Sequence, residues 1–396
     1  GLERQYEEAL QGTAGYRRVE VDVRGRVVGD FEGLRGLAAE RGEDLHLSID
    51  LGLQQFIHEI FPDSMTGAVV ALDPADGSVL ALYSAPTFDP NLFVGGIDPE
   101  AYAALTADAG KPFTNRAIQG AFAPASTWKL VTAAMAMDLG LIEADTRMPQ
   151  PCEGSIFFGR LWRCHDAEGH GDVDLIGALA GSCNVYFYQV AIEMGLEPYL
   201  EAANALGFGD PCGVDLPNEI GGTFPEGPAY WERNFNETPQ AGETLNLAIG
   251  QGPISITPLK LAQFYTAIAR DGSAPVPLLA PERADPDDAE AWRIDVAPEA
   301  LQALRDGMRA VTAPGGTAYL SALELWDLIG KTGSGQNPRG LTDGWFAGMA
   351  GPRGGDPEIV IVALVEDLPL GGGSTSAAPI AAKAADYYLR TKRGLE

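Results

Sequence analysis

Apolar positions recur along this chain with two different periods, and the change from one to the other divides it. Leu53, Phe56, Ile57 and Ile60 share one face of a helix predicted over residues 51–60, with Asp50 placed to cap it. Residues 67–72 and 78–83 are near-continuous apolar runs of β type, joined by Asp73-Pro74-Ala75-Asp76-Gly77, whose turn chemistry predicts a hairpin. Runs that are apolar at almost every position predict a sheet covered on both faces. Helical patterns then fill much of 126–270, including 130–141, 173–180 and 185–194. β-type runs return at 326–331, 344–349 and 359–365, and a helix over 377–389 closes the chain.

Strands at both ends of a helical middle predict an α/β chain of the α+β type: one sheet assembled from distant pieces, helices over it, and a helical subdomain at roughly 90–270 inserted between sheet segments. Residues 46–396 make up this domain. Residues 1–45 hold a short helical start at 2–10 and an alternating strand at 16–22, too little to bury a core. They are expected to be the end of a preceding domain or a linker, and Gly1-Leu2-Glu3 reads as a cut inside a longer protein.

Composition narrows the function classes. The chain has 396 residues, 45% apolar and 8% aromatic, which is ordinary for a globular protein. Its 27 basic and 55 acidic residues give a formal charge of −28, which opposes nucleic acid and anionic membrane as partners and leaves any anion site to be built locally. No stretch is long and apolar enough to span a bilayer, and no basic-then-apolar leader opens the sequence.

Three short patterns carry candidate chemistry. Ser126-Thr127-Trp128-Lys129 opens the 130–141 run, so the Ser126 hydroxyl and the Lys129 amine are expected on one helical face, where unpaired N–H groups favour developing negative charge. Each of the pair also has an ordinary reading, a helix cap and a solvated lysine. Gly181-Ser182-Cys183-Asn184 separates two helical patterns, either as a plain turn or as a turn aiming a hydroxyl and a carboxamide into a cleft. Lys331-Thr332-Gly333-Ser334 follows an apolar run, where a cation and two hydroxyls at a strand edge can hold a carboxylate and the glycine lets a substrate backbone approach.

Together, and in this order, Ser126-x-x-Lys129, Ser182-x-Asn184 and Lys331-Thr332-Gly333 make the sequence similar to the penicillin-binding protein and serine β-lactamase superfamily. The segments Gly242-Glu243-Thr244-Leu245-Asn246-Leu247-Ala248-Ile249-Gly250-Gln251-Gly252, Asp89-Pro90-Asn91, Asn115-Arg116-Ala117 and Asp343-Gly344-Trp345-Phe346 resemble class B penicillin-binding proteins. The stretch Glu168-Gly169-His170-Gly171-Asp172-Val173 ahead of the second motif resembles the elongation type, penicillin-binding protein 2, more than the division type. The resemblance spans roughly 45–396 and implies a central, mainly antiparallel sheet. It likens the first residues to the end of a membrane-proximal pedestal.

That resemblance implies a peptidoglycan D,D-transpeptidase active during cell elongation and inhibited by β-lactams. Ser126 attacks the amide between two D-alanines of a stem peptide, and a second stem-peptide amine resolves the acyl-enzyme. With His46, His58, His165 and His170 the only histidines, and none beside the serine in sequence, Lys129 becomes the natural base, its pKa lowered by burial and by Lys331. Ser182 relays the proton, Asn184 holds the donor amide, and Lys331, Thr332 and Ser334 bind the terminal carboxylate. The N–H groups of Ser126 and Ser334 form the oxyanion hole. Trp128 and Trp345 either line the groove or pack. No catalytic cofactor is implied. Implied partners are a membrane glycan polymerase and elongation-complex proteins, at the extracytoplasmic, periplasmic face of the inner membrane, with an anchor outside this sequence. Alternatives are a serine β-lactamase, for which no Glu-x-x-x-Asn loop stands out, and a non-catalytic β-lactam sensor or scaffold.

One further constellation stands apart. Cys152, Cys164, His170 and Cys183 supply four soft ligands within about thirty residues, the number a structural zinc needs. A metal there would pin the second motif through Cys183. A Cys152–Cys164 disulfide is the competing reading, and Cys212 is expected to be a packing residue.

Overall fold

The computed structural model describes residues 1–31, 36–283 and 290–395. The first segment holds two single-turn helices, α1 (Leu2–Gln5) and α2 (Glu7–Leu10), and a small hairpin, β1 (Val19–Val21) with β2 (Val27–Asp30). The helix expected over 2–10 is broken at Tyr6, whose φ of −112° and ψ of 19° interrupt the winding. The strand expected over 16–22 shrinks to the three residues that pair with β2, while Tyr16 makes a separate antiparallel bridge to Leu37.

α3 (Leu51–Ile60) forms as predicted, with the Asp50 carboxylate accepting from the Leu53 N–H at 2.9 Å. β3 (Gly67–Leu72) and β4 (Val79–Ala85) make the predicted hairpin. The chain then leaves the sheet through α4 (Pro99–Ala107), α5 (Arg116–Gln119) and α6 (Lys129–Asp138). A hairpin not foreseen in the helical region follows, β5 (Ser155–Phe158) with β6 (Arg160–Arg163). Next come α7 (Leu175–Ala180), α8 (Asn184–Met194), α9 (Leu196–Ala205), α10 (Ala229–Phe235), α11 (Glu243–Ala248) and α12 (Pro258–Ala269). β7 (Ser273–Pro275) pairs with β8 (Glu290–Arg293) ahead of α13 (Pro298–Thr312). β9 (Trp326–Gln336), β10 (Thr342–Pro352), β11 (Ile359–Leu368) and α14 (Ala377–Thr391) close the chain.

The main sheet has five strands in the order β4-β3-β11-β10-β9, every neighbouring pair antiparallel. Alternate residues of β3 and β11 enter different clusters, as the two-residue side-chain period requires. Ala68, Val70, Val362 and Leu364 join the core beneath α6, α8 and α12, whereas Val69, Ala71, Ile361 and Ala363 join the core beneath α3 and α14. Both faces are therefore covered, which is why these strands read as unbroken apolar runs. β9 lies at the sheet edge, and it runs beyond the predicted Lys331 because β10 pairs with it residue by residue, Ala347 opposite Lys331 and Gly344 opposite Ser334. The third motif thus lies inside the strand, not in a loop after it.

Candidate active site

A single 3₁₀ turn, Ala125–Trp128, leads directly into α6. Ala125 is held at φ 51°, a left-handed conformation that costs a residue with a Cβ and persists only where neighbours over-determine it. Those neighbours are identifiable. The Ala125 N–H donates to Gly250 O at 3.0 Å, and a Cβ on Gly250, itself at φ 70°, would meet Ala125 O at 2.2 Å. The segment around Gly250, flagged in the sequence by resemblance alone, is therefore the support under the nucleophile turn. Ser126 is half-buried, and its hydroxyl has no hydrogen-bond partner among the described residues.

Lys129 is fully buried. Its ammonium donates to Ser182 O at 2.6 Å, Asn184 Oδ1 at 2.6 Å and Ser182 Oγ at 3.1 Å. Three protons meet three acceptors, all on the second motif, so the expected direct Ser126–Lys129 contact is absent from this resting arrangement. Burial pushes the lysine pKa down to about 8, with the sulfurs of Cys164, Cys183 and Cys152 opposing that shift. The second motif is the turn between α7 and α8, with Ser182 at φ 56° and Cys183 capping α8 by accepting the Tyr186 N–H.

The third motif faces this pair from β9. Thr332 Oγ1 shares a 2.7 Å hydrogen bond with Thr317 Oγ1, and Ser334 Oγ accepts the Gly373 N–H at 3.3 Å. Together Ser126, Ser182, Asn184, Thr332, Gly333 and Ser334 line an open pocket of about 520 Å³. Thr317, Gln251, Ser374 and His165 line it as well, and no motif pointed to them except Gln251, which lies in the Gly250-Gln251-Gly252 segment.

Two expectations need correction, those for Lys331 and Trp345. Lys331 does not face the pocket: it is fully buried, donates to Thr332 O at 3.2 Å, and is pushed well below the usual lysine range by burial and by Lys129. The repulsion between the two ammoniums therefore falls on Lys331, and burial alone depresses Lys129. Trp345 is fully buried, its indole N–H donating to Ala123 O at 3.1 Å, so it packs behind the pocket instead of lining it. Trp128 likewise is buried, donating to Tyr199 Oη at 2.7 Å. Gly333 keeps its place on the pocket wall and has a packing role besides, since the space its Cβ would take is bounded by Pro124 O at 3.0 Å and Thr127 Cγ2 at 3.1 Å. That glycine lets the strand sit on the nucleophile turn.

Cys152, Cys164, His170 and Cys183 come together behind the second motif, their ligand atoms all within 4.8 Å of one another. All four cysteines of the chain, Cys212 included, are free thiols and buried. Cys164 is driven low by hydrogen bonds from the Cys183 thiol, His165 and the N–H groups of Asp166 and Asn184, while Cys183 is driven up by the same pairing. The Asn184 N–H donates to Cys164 Sγ at 3.3 Å, so the cluster touches the second motif directly.

Residues 67–386 match the penicillin binding protein transpeptidase domain, and residues 1–47 match the penicillin-binding protein dimerisation domain. The peptidoglycan D,D-transpeptidase MrdA of Haemophilus influenzae is 36% identical over 99% of this chain; the chain spans 63% of that relative's length. Penicillin-binding protein 2 of Pseudomonas aeruginosa, solved in complex with WCK 5153, superposes with a TM-score of 0.86 at 30% identity, covering 100% of this chain and 82% of that one. Penicillin-binding protein 2 of Helicobacter pylori, solved with MreC, gives a TM-score of 0.86 at 29% identity, covering 100% of this chain and 72% of that one. With its motifs converging on one pocket and its fold shared with these proteins, the chain belongs to the penicillin-binding protein transpeptidase family, in the class B branch of penicillin-binding protein 2.

Proposed function

We propose that this chain is a peptidoglycan D,D-transpeptidase of the elongation type, acting through an acyl-enzyme on Ser126. The observation that carries this is the convergence of a half-buried serine and two hydroxyl-bearing motifs on one pocket, with a fully buried lysine of depressed pKa bonded to Ser182 and Asn184 beneath it. When Lys129 loses its proton, only two N–H groups remain for three acceptors, and the longest bond, 3.1 Å to Ser182 Oγ, is the one released. The freed lone pair then takes the Ser126 proton as the hydroxyl attacks the carbonyl between the D-alanines. Lys129 returns that proton through Ser182 Oγ to the leaving D-alanine amine. Asn184 orients the donor amide, Thr332 and Ser334 hold the terminal carboxylate, and Lys331 supports that site from behind through Thr332. The Ser126 and Ser334 N–H groups stabilise the oxyanion, a contribution of about 3–4 kcal/mol.

Intact mass after incubation with a penicillin tests this: one stable adduct per chain, absent in Ser126→Ala. Many turnovers of a chromogenic cephalosporin would instead make the chain a β-lactamase. Retention of its cellular role by Ser126→Ala would make it a scaffold.

We infer further that the chain works at the extracytoplasmic face of the inner membrane, beside a glycan polymerase that supplies the strands and an elongation protein of the MreC kind. Residues 1–45 are assigned to a membrane-proximal pedestal and 46–396 to the transpeptidase domain, with the helical subdomain over roughly 90–270. No helix among the described residues is long and apolar enough to cross a membrane.

Catalysis in this scheme uses no cofactor, but the cysteine cluster fits a structural zinc. Tetrahedral bonds of ~2.3 Å to sulfur and ~2.0 Å to nitrogen place sulfur and nitrogen about 3.5 Å apart. The His170 Nδ1 lies 3.6 Å from Cys152 Sγ and 3.5 Å from Cys164 Sγ. Cys152, Cys164, His170 and Cys183 would hold the ion, which would fix the turn carrying Ser182 and Asn184. Metal analysis of protein purified without chelator is expected to find one zinc per chain. Absence of zinc together with freely titrating thiols at Cys152 and Cys164 sinks the assignment.

A further inference from the structure

Three sulfurs stand behind the second motif, and the acyl-transfer scheme uses none of them for chemistry. The Sγ atoms of Cys152 and Cys164 flank the His170 Nδ1 at 3.6 and 3.5 Å, and the four ligand atoms of the cluster lie within 4.8 Å of one another. All three cysteines are free thiols. A disulfide forms at about 2 Å between sulfurs, so those of Cys152 and Cys164 have less than about 3 Å to close, which a change of χ1 rotamer covers. Cys183 is held differently: it is fully buried, and its Sγ caps α8 by accepting the Tyr186 N–H at 3.5 Å. Cys152 and Cys164 frame one hairpin, where the Cys164 N–H donates to Gly154 O at 2.8 Å.

The cluster is reached from two sides. A surface crevice of about 10 Å³, wide enough for one water-sized molecule, is lined by Cys152 and Cys183 with Met148, Gln150 and Tyr186. On the other side Cys164, 8% exposed, has its Sγ 3.9 Å from Nδ1 of His165, a residue of the open catalytic pocket. The same segment holds the second motif. Asn184 donates from its N–H to Cys164 Sγ at 3.3 Å and from Nδ2 to Arg163 O at 3.4 Å, while its Oδ1 accepts from Lys129 at 2.6 Å. Whatever moves Cys164 therefore moves a partner of the buried lysine.

We propose that Cys152 and Cys164 are a reversible oxidation site for small two-electron oxidants, of which hydrogen peroxide is the simplest, and that the disulfide they form slows acylation of Ser126. The Cys152 sulfur attacks one peroxide oxygen, the O–O bond breaks, and the leaving hydroxide takes the thiol proton as water, which leaves a sulfenic acid. The Cys164 sulfur then displaces the sulfenic oxygen, which departs with the second thiol proton as another water. Two thiols have lost two electrons and two protons, and one peroxide has become two waters. Drawn towards Cys152, the Cys164 sulfur leaves the Asn184 N–H without its acceptor. Only His170 and Cys183 then remain for the zinc proposed above, two ligands where four are needed. In the extracytoplasmic space proposed for this chain, no cytosolic reducing buffer opposes the bond. The coupling to acylation rests on the transpeptidase reading; the thiol chemistry does not.

The test uses the full chain, purified without chelator, reduced, and then treated with a few equivalents of hydrogen peroxide. The denatured product is expected to show two free thiols in place of the parent's four, and peptide mapping to join Cys152 to Cys164. Penicillin acylation of the folded product is expected to slow roughly tenfold, the loss of one hydrogen bond at the second motif. Dithiothreitol reverses all three changes. Cys152→Ser, compared with its own untreated form, is expected to lose the response, and Cys212→Ser to keep it. Four thiols after a treatment that oxidises added glutathione overturn the proposal, as does a bond from Cys183 to either partner, or a loss of acylation that dithiothreitol does not reverse. A Cys152–Cys164 bond with unchanged acylation overturns the coupling to the second motif. If Cys152→Ser does not fold, the mapped bond and its reversal in the parent decide the matter. A reduced parent that penicillin does not acylate overturns the transpeptidase reading instead, and the thiol count still decides the oxidation site.

Discussion

In the proposed reaction the residue that decides the chemistry is Lys129, and its behaviour follows from burial. A lysine at its ordinary value of 10.5 would be neutral in roughly one molecule in three thousand at pH 7; at about 8 the neutral fraction is roughly one in ten. The depressed pKa favours the base form, so the rate of acylation by penicillin is expected to rise roughly tenfold from pH 6 to 7 and to level off above 8. A stopped-flow profile that is flat between pH 6 and 8 would remove Lys129 from the role of base. The sequence makes Ser126, Lys129, Ser182 and Asn184 recognisable because their chemistry depends on residue type and order. It does not reveal that Lys331 and Trp345 are buried, since a lysine and a tryptophan beside a glycine-rich strand carry no mark of which side of β9 and β10 they occupy.

At the scale of elements, two glycines join the nucleophile turn to its neighbours, and they differ in how much room they leave. A Cβ on Gly333 would lie 3.0 Å from Pro124 O and 3.1 Å from Trp345 Cβ, so β9 would have to shift by a few tenths of an ångström. A Cβ on Gly250 would lie 2.2 Å from Ala125 O at a backbone φ of 70° that already disfavours a side chain. Gly333→Ala is therefore expected to cost about 1–3 kcal/mol of stability and Gly250→Ala more. Both should slow acylation, because Ser126 moves with the turn. Denaturant midpoints and penicillin acylation rates of the two variants check the order, and a Gly250→Ala protein as stable as the parent would contradict it. The elements themselves were legible where periodicity was strong, in α3, the β3–β4 hairpin, β11 and α14. The β5–β6 hairpin was not. Its strands are four residues each and its tip exposes Phe157 and Leu161, so it shows no amphipathic alternation, and it is framed by the Cys152 and Cys164 that flank it.

For the molecule as a whole, the antiparallel sheet with a core on each face explains how motifs more than two hundred residues apart meet: strands from both ends of the chain pair, and the helical middle folds back over one face. The proposed division at residue 45 sets the first segment outside this scheme. Among the described residues its side-chain polar attachment to the rest is narrow: the Tyr6 hydroxyl donates to Asp215, which also accepts the N–H groups of Leu279 and Ala280, and Glu43 pairs with Arg283 at 2.6 Å. Asp215 keeps its backbone donors when the phenol is removed, so Tyr6→Phe loses one charge-assisted hydrogen bond without leaving a bare buried charge. Such a bond contributes about 1.5–3 kcal/mol, enough to raise local opening of the segment roughly tenfold or more. Limited proteolysis of Tyr6→Phe is therefore expected to cut within residues 1–45 about ten times faster, while the thermal midpoint of the remainder and its acylation by penicillin stay unchanged. If acylation falls in step with the cleavage, the segment is part of the catalytic domain's own stability, and the separation at residue 45 is wrong.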